Sequence, residues 1–359
     1  MSAIRRLKEE PLFEHVDSHV IETVGTGQLD EGLPGGTAVT SERVFFVTGS
    51  MGCIGSWTLY HLVQRGERVV SFDLSDDRHR LNLLLSTDQQ SSITFVQGDL
   101  TSFEHVAAAV RAHQITHIVH LGALQVPFCR ANPVVGAQVN VVGTVNVFEA
   151  ARTNGIRHLT QASSIAVYGT PDEYPPRLVA PDAPLHPHTL YGVFKVACEG
   201  IAHVYWRVNH VSSTTLRPYT VYGVGRDQGL TSDPTKAMLT AAAGKPYRIG
   251  FGGAMQFQWA SDVAQQFIAA AINPLDDAVT FNLGGTPRSV SEVAAIIRSL
   301  RPGVDITVDE KPLPFPIGCD DTPLREQVDV VYDTPLETGI ATTIDQFERA
   351  LDAGSVDIS

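Results

Sequence analysis

Val44-Phe45-Phe46-Val47-Thr48-Gly49-Ser50-Met51-Gly52-Cys53-Ile54-Gly55 is the stretch that decides the fold of this chain. Its first four residues form a short apolar run, the pattern of a strand buried in a parallel sheet. The segment after the glycines, Ser56-Trp57-Thr58-Leu59-Tyr60-His61-Leu62-Val63, reads as a helix. A strand that passes through a glycine-rich turn into a helix is built to bind a dinucleotide. Gly49 permits the tight bend, Gly52 lets the backbone approach a pyrophosphate, and Gly55 lets helix pack closely on strand. The helix N-terminus then offers free N–H groups to the anion, and Cys53 and Ile54 within the turn count among the expected cofactor-binding residues.

A second strand, Arg68-Val69-Val70-Ser71-Phe72, ends at Asp73, about twenty residues beyond the glycines. A carboxylate there accepts hydrogen bonds from the adenosine ribose hydroxyls and repels a 2′-phosphate, so the expected cofactor is NAD rather than NADP. Arg78 and Arg80 lie just downstream and read as solvated loop charges rather than as a grip on a phosphate.

Farther along, Tyr191-Gly192-Val193-Phe194-Lys195 puts a phenol and an ammonium one helical turn apart on the same face. A phenol titrates near pH ~10, too high for a base in neutral water. A cation one turn away favours the phenolate. Ser164, at the end of the strand His158-Leu159-Thr160-Gln161-Ala162, stands where a parallel sheet presents ligand-binding groups. Its hydroxyl can hold a substrate oxygen while Tyr191 takes or returns the proton. Ser163, its neighbour, reads as a residue that turns into backbone hydrogen bonds. The expected catalytic set is therefore Ser164, Tyr191 and Lys195.

With these motifs in order, the chain resembles the extended short-chain dehydrogenase/reductase family, also called the NAD-dependent epimerase/dehydratase family, in its UDP-glucose 4-epimerase-like branch. The resemblance runs from about residue 44 to about residue 350. It includes Gly98-Asp99-Leu100, His120-Leu121-Gly122-Ala123, Asn140-Val141-Val142-Gly143-Thr144, Ser163-Ser164-Ile165-Ala166-Val167-Tyr168-Gly169, Leu216-Arg217-Pro218 and Val221-Tyr222-Gly223. It implies that Asp99 and Leu100 border the adenine and that Leu121, Gly122 and Ala123 line the cofactor. It also implies cofactor contacts from Asn140, Tyr191 and Pro218, and that Lys195 holds the nicotinamide ribose.

Dehydratases of the family carry an Asp-Glu pair where this chain has Ile165 and Ala166, neither of which moves a proton, so dehydration is disfavoured. Members that bind nucleotide diphosphate sugars usually have Asn at the place of Thr220, and an Arg where Met255 or Gln256 stands. Both grips on a diphosphate are weakened here. Arg226 and Arg325 remain as anion candidates, and the substrate candidates are Ser164, Thr220, Arg226 and Arg325.

Strand-like and helix-like runs alternate from 44 to about 211, the mark of an α/β, doubly wound parallel sheet. Beyond that, Pro and Gly interrupt the pattern, as in Lys311-Pro312-Leu313-Pro314-Phe315-Pro316, pointing to a smaller C-terminal substrate lobe. The expected organisation is an N-terminal extension over 1–40, an NAD-binding domain over 41–213, and a mainly substrate-binding lobe over 214–359. Residues 257–272 return to the first domain. The extension is glycine-rich, an arm that either moves freely or packs on the body or on a partner subunit.

A net charge of −13 argues against nucleic acid or an anionic membrane as partner. No apolar run is expected to reach membrane-span length, and the polar Arg5-Arg6-Leu7-Lys8-Glu9-Glu10 argues against a secretory signal. The four cysteines show no metal or disulfide spacing, so they read as reduced packing residues of a cytoplasmic protein with no metal site. A homodimer is the family habit, with the apolar faces of 135–152 and 193–208 as the candidate bundle.

The expected function is NAD-dependent oxidation of a secondary hydroxyl on a small carbohydrate-like substrate, a sugar or sugar derivative. A simpler sugar, a sugar acid or another polyol fits the missing grips, and a nucleotide sugar stays open. Epimerase and dehydrogenase outcomes share these residues and stay open. The alternative from another class is a non-catalytic dinucleotide sensor on the same fold.

Overall fold

The computed structural model describes residues 42–358, within the compact unit Glu42–Ser359. The extension expected over 1–40 lies outside the described residues. In chain order the strands are β1 (Val44–Thr48), β2 (Arg68–Asp73), β3 (Ile93–Gln97), β4 (His117–His120), β5 (His158–Ala162), β6 (Ser212–Arg217), β7 (Thr220–Tyr222), β8 (Tyr247–Ile249), β9 (Ala254–Trp259), β10 (Ala278–Asn282), β11 (Pro287–Ser289) and β12 (Ile306–Val308).

The main sheet runs β10-β6-β5-β4-β1-β2-β3 with every pair parallel. Strand order reverses between β1 and β4, so the crevice beyond their carboxyl ends is where an α/β sheet binds its ligand. β1 is buried along its whole length, as its unbroken apolar run requires. Phe45 and Val47 enter one core layer with Trp57, Leu59 and Leu62, and Phe46 enters the other with Phe72, Ile118 and Phe148. This is the doubly wound α/β architecture.

The C-terminal part of the chain adds a three-stranded sheet, β11-β9-β7, and a two-stranded sheet, β12-β8. The helix Ala260–Ile272 packs against the helix Cys53–Gln64 and against β4 and β5. The return to the main sheet extends past 272, because β10 pairs with β6 as its seventh strand. The short strand Ala278–Asn282 has no strong alternation, and only tertiary pairing reveals it.

One expectation about length is corrected. The stretch Pro133–Thr153 is long and apolar enough to cross a membrane, yet half of its apolar window is buried inside the protein. It is helical throughout except for a π-helical turn at Gln138–Val142.

Candidate active site

A cleft of about 480 Å³ opens at the switch point, and nearly all the expected cofactor residues line it: Gly49, Gly52, Cys53, Ile54, Gly55, Asp73, Asp99, Leu100, Leu121, Gly122, Ala123 and Pro218, joined by Met51. Gly49 sits at φ +66°, and a Cβ there would lie 2.5 Å from Gly122 Cα, so two backbones meet where no side chain fits. A Cβ on Gly55 would lie 2.2 Å from Gly49 O. The helix Cys53–Gln64 has no side-chain cap, leaving its first N–H groups open to the cleft. A chain that closes its helix N-terminus with nothing but backbone and glycine, facing a cavity, fits a dinucleotide pyrophosphate.

Asp73 is ordered from both sides. Its Oδ2 accepts from Met51 N at 2.9 Å and its Oδ1 from Ser75 N at 3.0 Å. The carboxylate therefore stiffens the glycine turn while keeping lone pairs toward the cleft. Arg78 and Arg80 are not solvated loop charges. Arg78 lies over the Phe95 ring at 3.5 Å, and Arg80 pairs with Asp227 while its Nη1 donates to Met51 O at 3.0 Å. Arg80 is thus committed to Asp227 and Met51 O.

Ser164, Tyr191 and Lys195 come together on the same cleft. Thr189 caps the helix Leu190–Asn209 by accepting from Gly192 N, which fixes Tyr191 in the first turn. A Cβ on Gly192 would lie 2.1 Å from Ala166 O, so glycine lets this helix press against the segment that carries Ser164. Ser164 Oγ accepts from Ala166 N at 3.2 Å, which leaves its proton to donate into the cleft. Lys195 is 5% exposed, donates to Ala162 O at 2.5 Å, and holds its Nζ 5.7 Å from the Tyr191 ring centre. One of its three donors is spent on backbone, and the others remain for phenol and ribose.

Ser163 departs from expectation. Its hydroxyl donates not to backbone but to Glu199 Oε1 at 2.5 Å, and Glu199 is ion-paired with Arg217. Glu199 lies one turn beyond Lys195, a spacing visible in the sequence but not used there.

Three expected ligand contacts do not reach the cleft. Asn140, 1% exposed, gives its side chain to both backbone groups of Leu124, accepting at 2.8 Å and donating at 2.9 Å. It shapes the segment after Ala123 rather than touching cofactor. Thr220 is fully buried, and its hydroxyl turns to Met255 Sδ at 3.0 Å. Arg325 is held by Asp321 and Asp333 beside a separate small cavity. Gln256, also fully buried, ties Gly285 O and Cys319 O together, so neither Met255 nor Gln256 offers a phosphate grip.

Arg226 does line the cleft. Its Nη2 donates to Thr231 Oγ1 at 3.2 Å, and its Nε is buried without a partner. Burial pushes the Cys53 thiol up to about 12 against the opposing charges of Arg226 and Arg80, so it is an inert packing group. The cleft is also lined by Gln125, Phe128, Tyr219, Leu230 and Phe315, none of which the sequence motifs single out.

The comparisons with known proteins agree with this geometry. Residues 45–284 match the model of the NAD dependent epimerase/dehydratase family. A UDP-glucose 4-epimerase of Mycolicibacterium smegmatis is 30% identical over 84% of this chain and 98% of its own length. The solved structure of MoeE5 in complex with UDP-glucose and NAD has a TM-score of 0.70 at 26% identity, covering 86% of this chain and 99% of that one. An L-threonine dehydrogenase from Clostridium difficile shares the fold, with a TM-score of 0.74 at 20% identity, covering 88% of this chain and 99% of that one. With its glycine turn, Asp73 and Tyr-Lys helix on one cleft, this chain belongs to the NAD-dependent epimerase/dehydratase family, as an NAD-binding, UDP-glucose 4-epimerase-like member of the extended short-chain dehydrogenases/reductases.

Proposed function

We propose that the protein epimerises a secondary hydroxyl of a sugar acid, or of a closely similar anionic sugar, through Ser164, Tyr191 and Lys195. The observation that carries this reading is Arg226, a guanidinium that lines the cleft shared with that set and gives only Nη2 to a protein partner, Thr231. The other cleft arginine, Arg80, is committed to Asp227 and Met51 O. A cleft guanidinium with donors to spare is best satisfied by an anion such as a carboxylate, through charge-assisted hydrogen bonds. The MoeE5 structures include one with UDP-glucuronic acid, a relative's ligand of the same charge type. With Met255, Gln256 and Arg325 all turned elsewhere, a free sugar acid suits the cleft better than a nucleotide diphosphate.

The residues divide the work. Ser164 donates its free proton to the substrate oxygen and fixes it. Tyr191 accepts the hydroxyl proton as the carbon is oxidised, and Lys195, one helical turn away with its Nζ 5.7 Å from the Tyr191 ring centre, steadies the site beside it. NAD, when bound, supplies the hydride acceptor. Epimerisation then requires that the oxidised sugar turn within the cleft and be reduced on its other face before it leaves. If it leaves first, the enzyme is a dehydrogenase.

A homodimer and a cytoplasmic setting are part of the proposal. Val142 and Val145 on the stretch Pro133–Thr153, and Val193, Val204 and Val208 on the helix Leu190–Asn209, are exposed apolar residues that a second copy would cover. The four cysteines stand as free thiols, as in a reducing compartment.

The test is a panel of free sugars, sugar acids and nucleotide sugars, assayed for NADH release and product stereochemistry. Interconversion of two epimers of an acid without net NADH is expected. Net NADH with a released ketone makes it a dehydrogenase, and no turnover on any sugar leaves a dinucleotide sensor.

A further inference from the structure

Residues 223–231 form a strap, most of which lines the cleft. Gly223, Gly225 and Gly229 all have positive φ (+126°, +84° and +101°), so its path depends on residues free to take left-handed conformations. Its near end is pinned by Trp57 Nε1, which donates to Val224 O at 3.0 Å. Toward the far lip the strap meets Gln125, whose Oε1 would lie 2.2 Å from a Cβ on Gly229.

Between these points one ion pair ties the strap to the cofactor side. Arg80 Nε donates to Asp227 Oδ1 at 3.1 Å and to Oδ2 at 3.0 Å, while Nη2 donates to Oδ1 at 2.8 Å. Its third nitrogen, Nη1, donates to Met51 O inside the glycine turn. His79 Nε2 adds a contact to Asp227 Oδ2 at 3.0 Å, and its Nδ1 is steadied by Asp77 at 2.8 Å. Met51, Asp77, His79 and Arg80 line the cleft, and so do Gly225 to Gln228 of the strap. Through Arg80, bonded at once to Asp227 and to Met51 O, the strap is tied to the glycine turn that suits a pyrophosphate.

We propose that Arg80 and Asp227 are positioning residues whose ion pair clasps the strap across the bound dinucleotide and keeps NAD resident between turnovers. A dinucleotide seated on the Met51–Gly55 turn leaves only when the strap lifts, and the strap lifts only when the pair opens. An epimerase needs such retention, since its cofactor is regenerated in place; a dehydrogenase must release it each cycle. The inference rests on NAD occupying this cleft and not on the identity of the sugar.

The test uses the purified holoprotein and no substrate. Bound NADH is chased with excess NAD, and its fluorescence decay gives the dissociation rate. Asp227 is 43% exposed, so a pair of this kind is worth a modest amount, and Asp227→Asn or Arg80→Met should speed release roughly tenfold. Asp227→Glu should restore most of the retention, and added salt should speed release in the wild type more than in either variant. Asp227→Asn keeps the Arg80 bond to Met51 O and sits on an exposed loop, so it carries the test even if Arg80→Met folds poorly. An unchanged rate in Asp227→Asn overturns the clasp, including the case where Arg80→Met alone releases NADH quickly. Failure to find an epimerised sugar leaves this measurement intact.

Discussion

Glu199 and Arg217 form a two-pronged ion pair in the interior, with Nε to Oε1 at 2.8 Å and Nη2 to Oε2 at 2.7 Å, and side chains 6% and 4% exposed. Each is close in sequence to a cleft residue: Glu199 follows Lys195 by one helical turn, and Arg217 precedes Pro218. Arg217 Nη1 also donates to Tyr168 OH at 2.5 Å and to Pro181 O at 2.8 Å, and Tyr168 OH donates to Asn282 Oδ1 at 2.8 Å. Burial alone would lower the Arg217 pKa, but the hydrogen bonds and charge of Glu199 outweigh it and hold it above the ordinary value. The pair thus fastens the ends of β5, β6 and β10 to the catalytic helix.

Removing one partner strands a buried charge. Arg217→Met should destabilise the fold by about 3–5 kcal/mol, and adding Glu199→Gln should recover part of that loss. Urea unfolding of the single and double variants checks this. A double variant no better than the single would mean that the Tyr168 and Pro181 contacts, not the ion pair, hold the site.

Tyr191→Phe keeps the ring packing and removes the exchangeable proton. It should retain NAD and lose roughly 10²–10⁴-fold in turnover. Lys195→Met should weaken NAD binding as well as turnover, and Ser164→Ala should mainly slow turnover. Calorimetric NAD titration beside steady-state kinetics separates the three; near-normal turnover in Tyr191→Phe would refute the proton-transfer role.

Arg226→Gln tests the anionic substrate. Loss of a charge-assisted hydrogen bond should raise KM for an acidic sugar roughly tenfold or more, with a smaller effect on kcat. NAD affinity should not change. An unaltered KM for a confirmed acid would remove Arg226 from substrate recognition.

Acid should weaken the fold before it titrates most carboxylates. Burial lowers the His120 pKa to about 3, and those of His61 and His158 to about 4. His120 is enclosed between Thr48 Oγ1 at 2.7 Å and Thr144 Oγ1 at 3.1 Å. An unfolded chain protonates these imidazoles near pH ~6.5, so between that value and about 4 it binds more protons than the folded one. Stability is therefore full above that window and falls as pH drops through it. Urea midpoints at pH ~7 and pH ~5 read the effect; equal midpoints would contradict neutral, buried histidines.

Val204 and Val208 are 58% and 69% exposed and lie one turn apart on the helix Leu190–Asn209. If a second copy covers them, Val204→Glu with Val208→Glu should convert a dimer to a monomer in analytical ultracentrifugation without unfolding it. A wild-type protein that sediments as a monomer would exclude the dimer directly.

The sequence by itself determined the α/β class, the glycine turn, Asp73 and the Tyr191–Lys195 pair. Each is a local relationship: a strand feeding a turn, a carboxylate at a strand end, two side chains on one helical turn. Local geometry follows from spacing, so it survives without knowledge of the rest of the chain. Tertiary structure alone decided where the longer-range side chains point. Thr220 sits next to the cleft in sequence but turns into the core toward Met255, and Arg325 is drawn away by Asp321 and Asp333. Arg80 finds Asp227 across 147 residues of chain, and the last strand of the main sheet is recognised only by its pairing with β6. Such partners are chosen by which charges and hydrogen-bond groups must be satisfied together once the layers close, a condition that no spacing along the chain records.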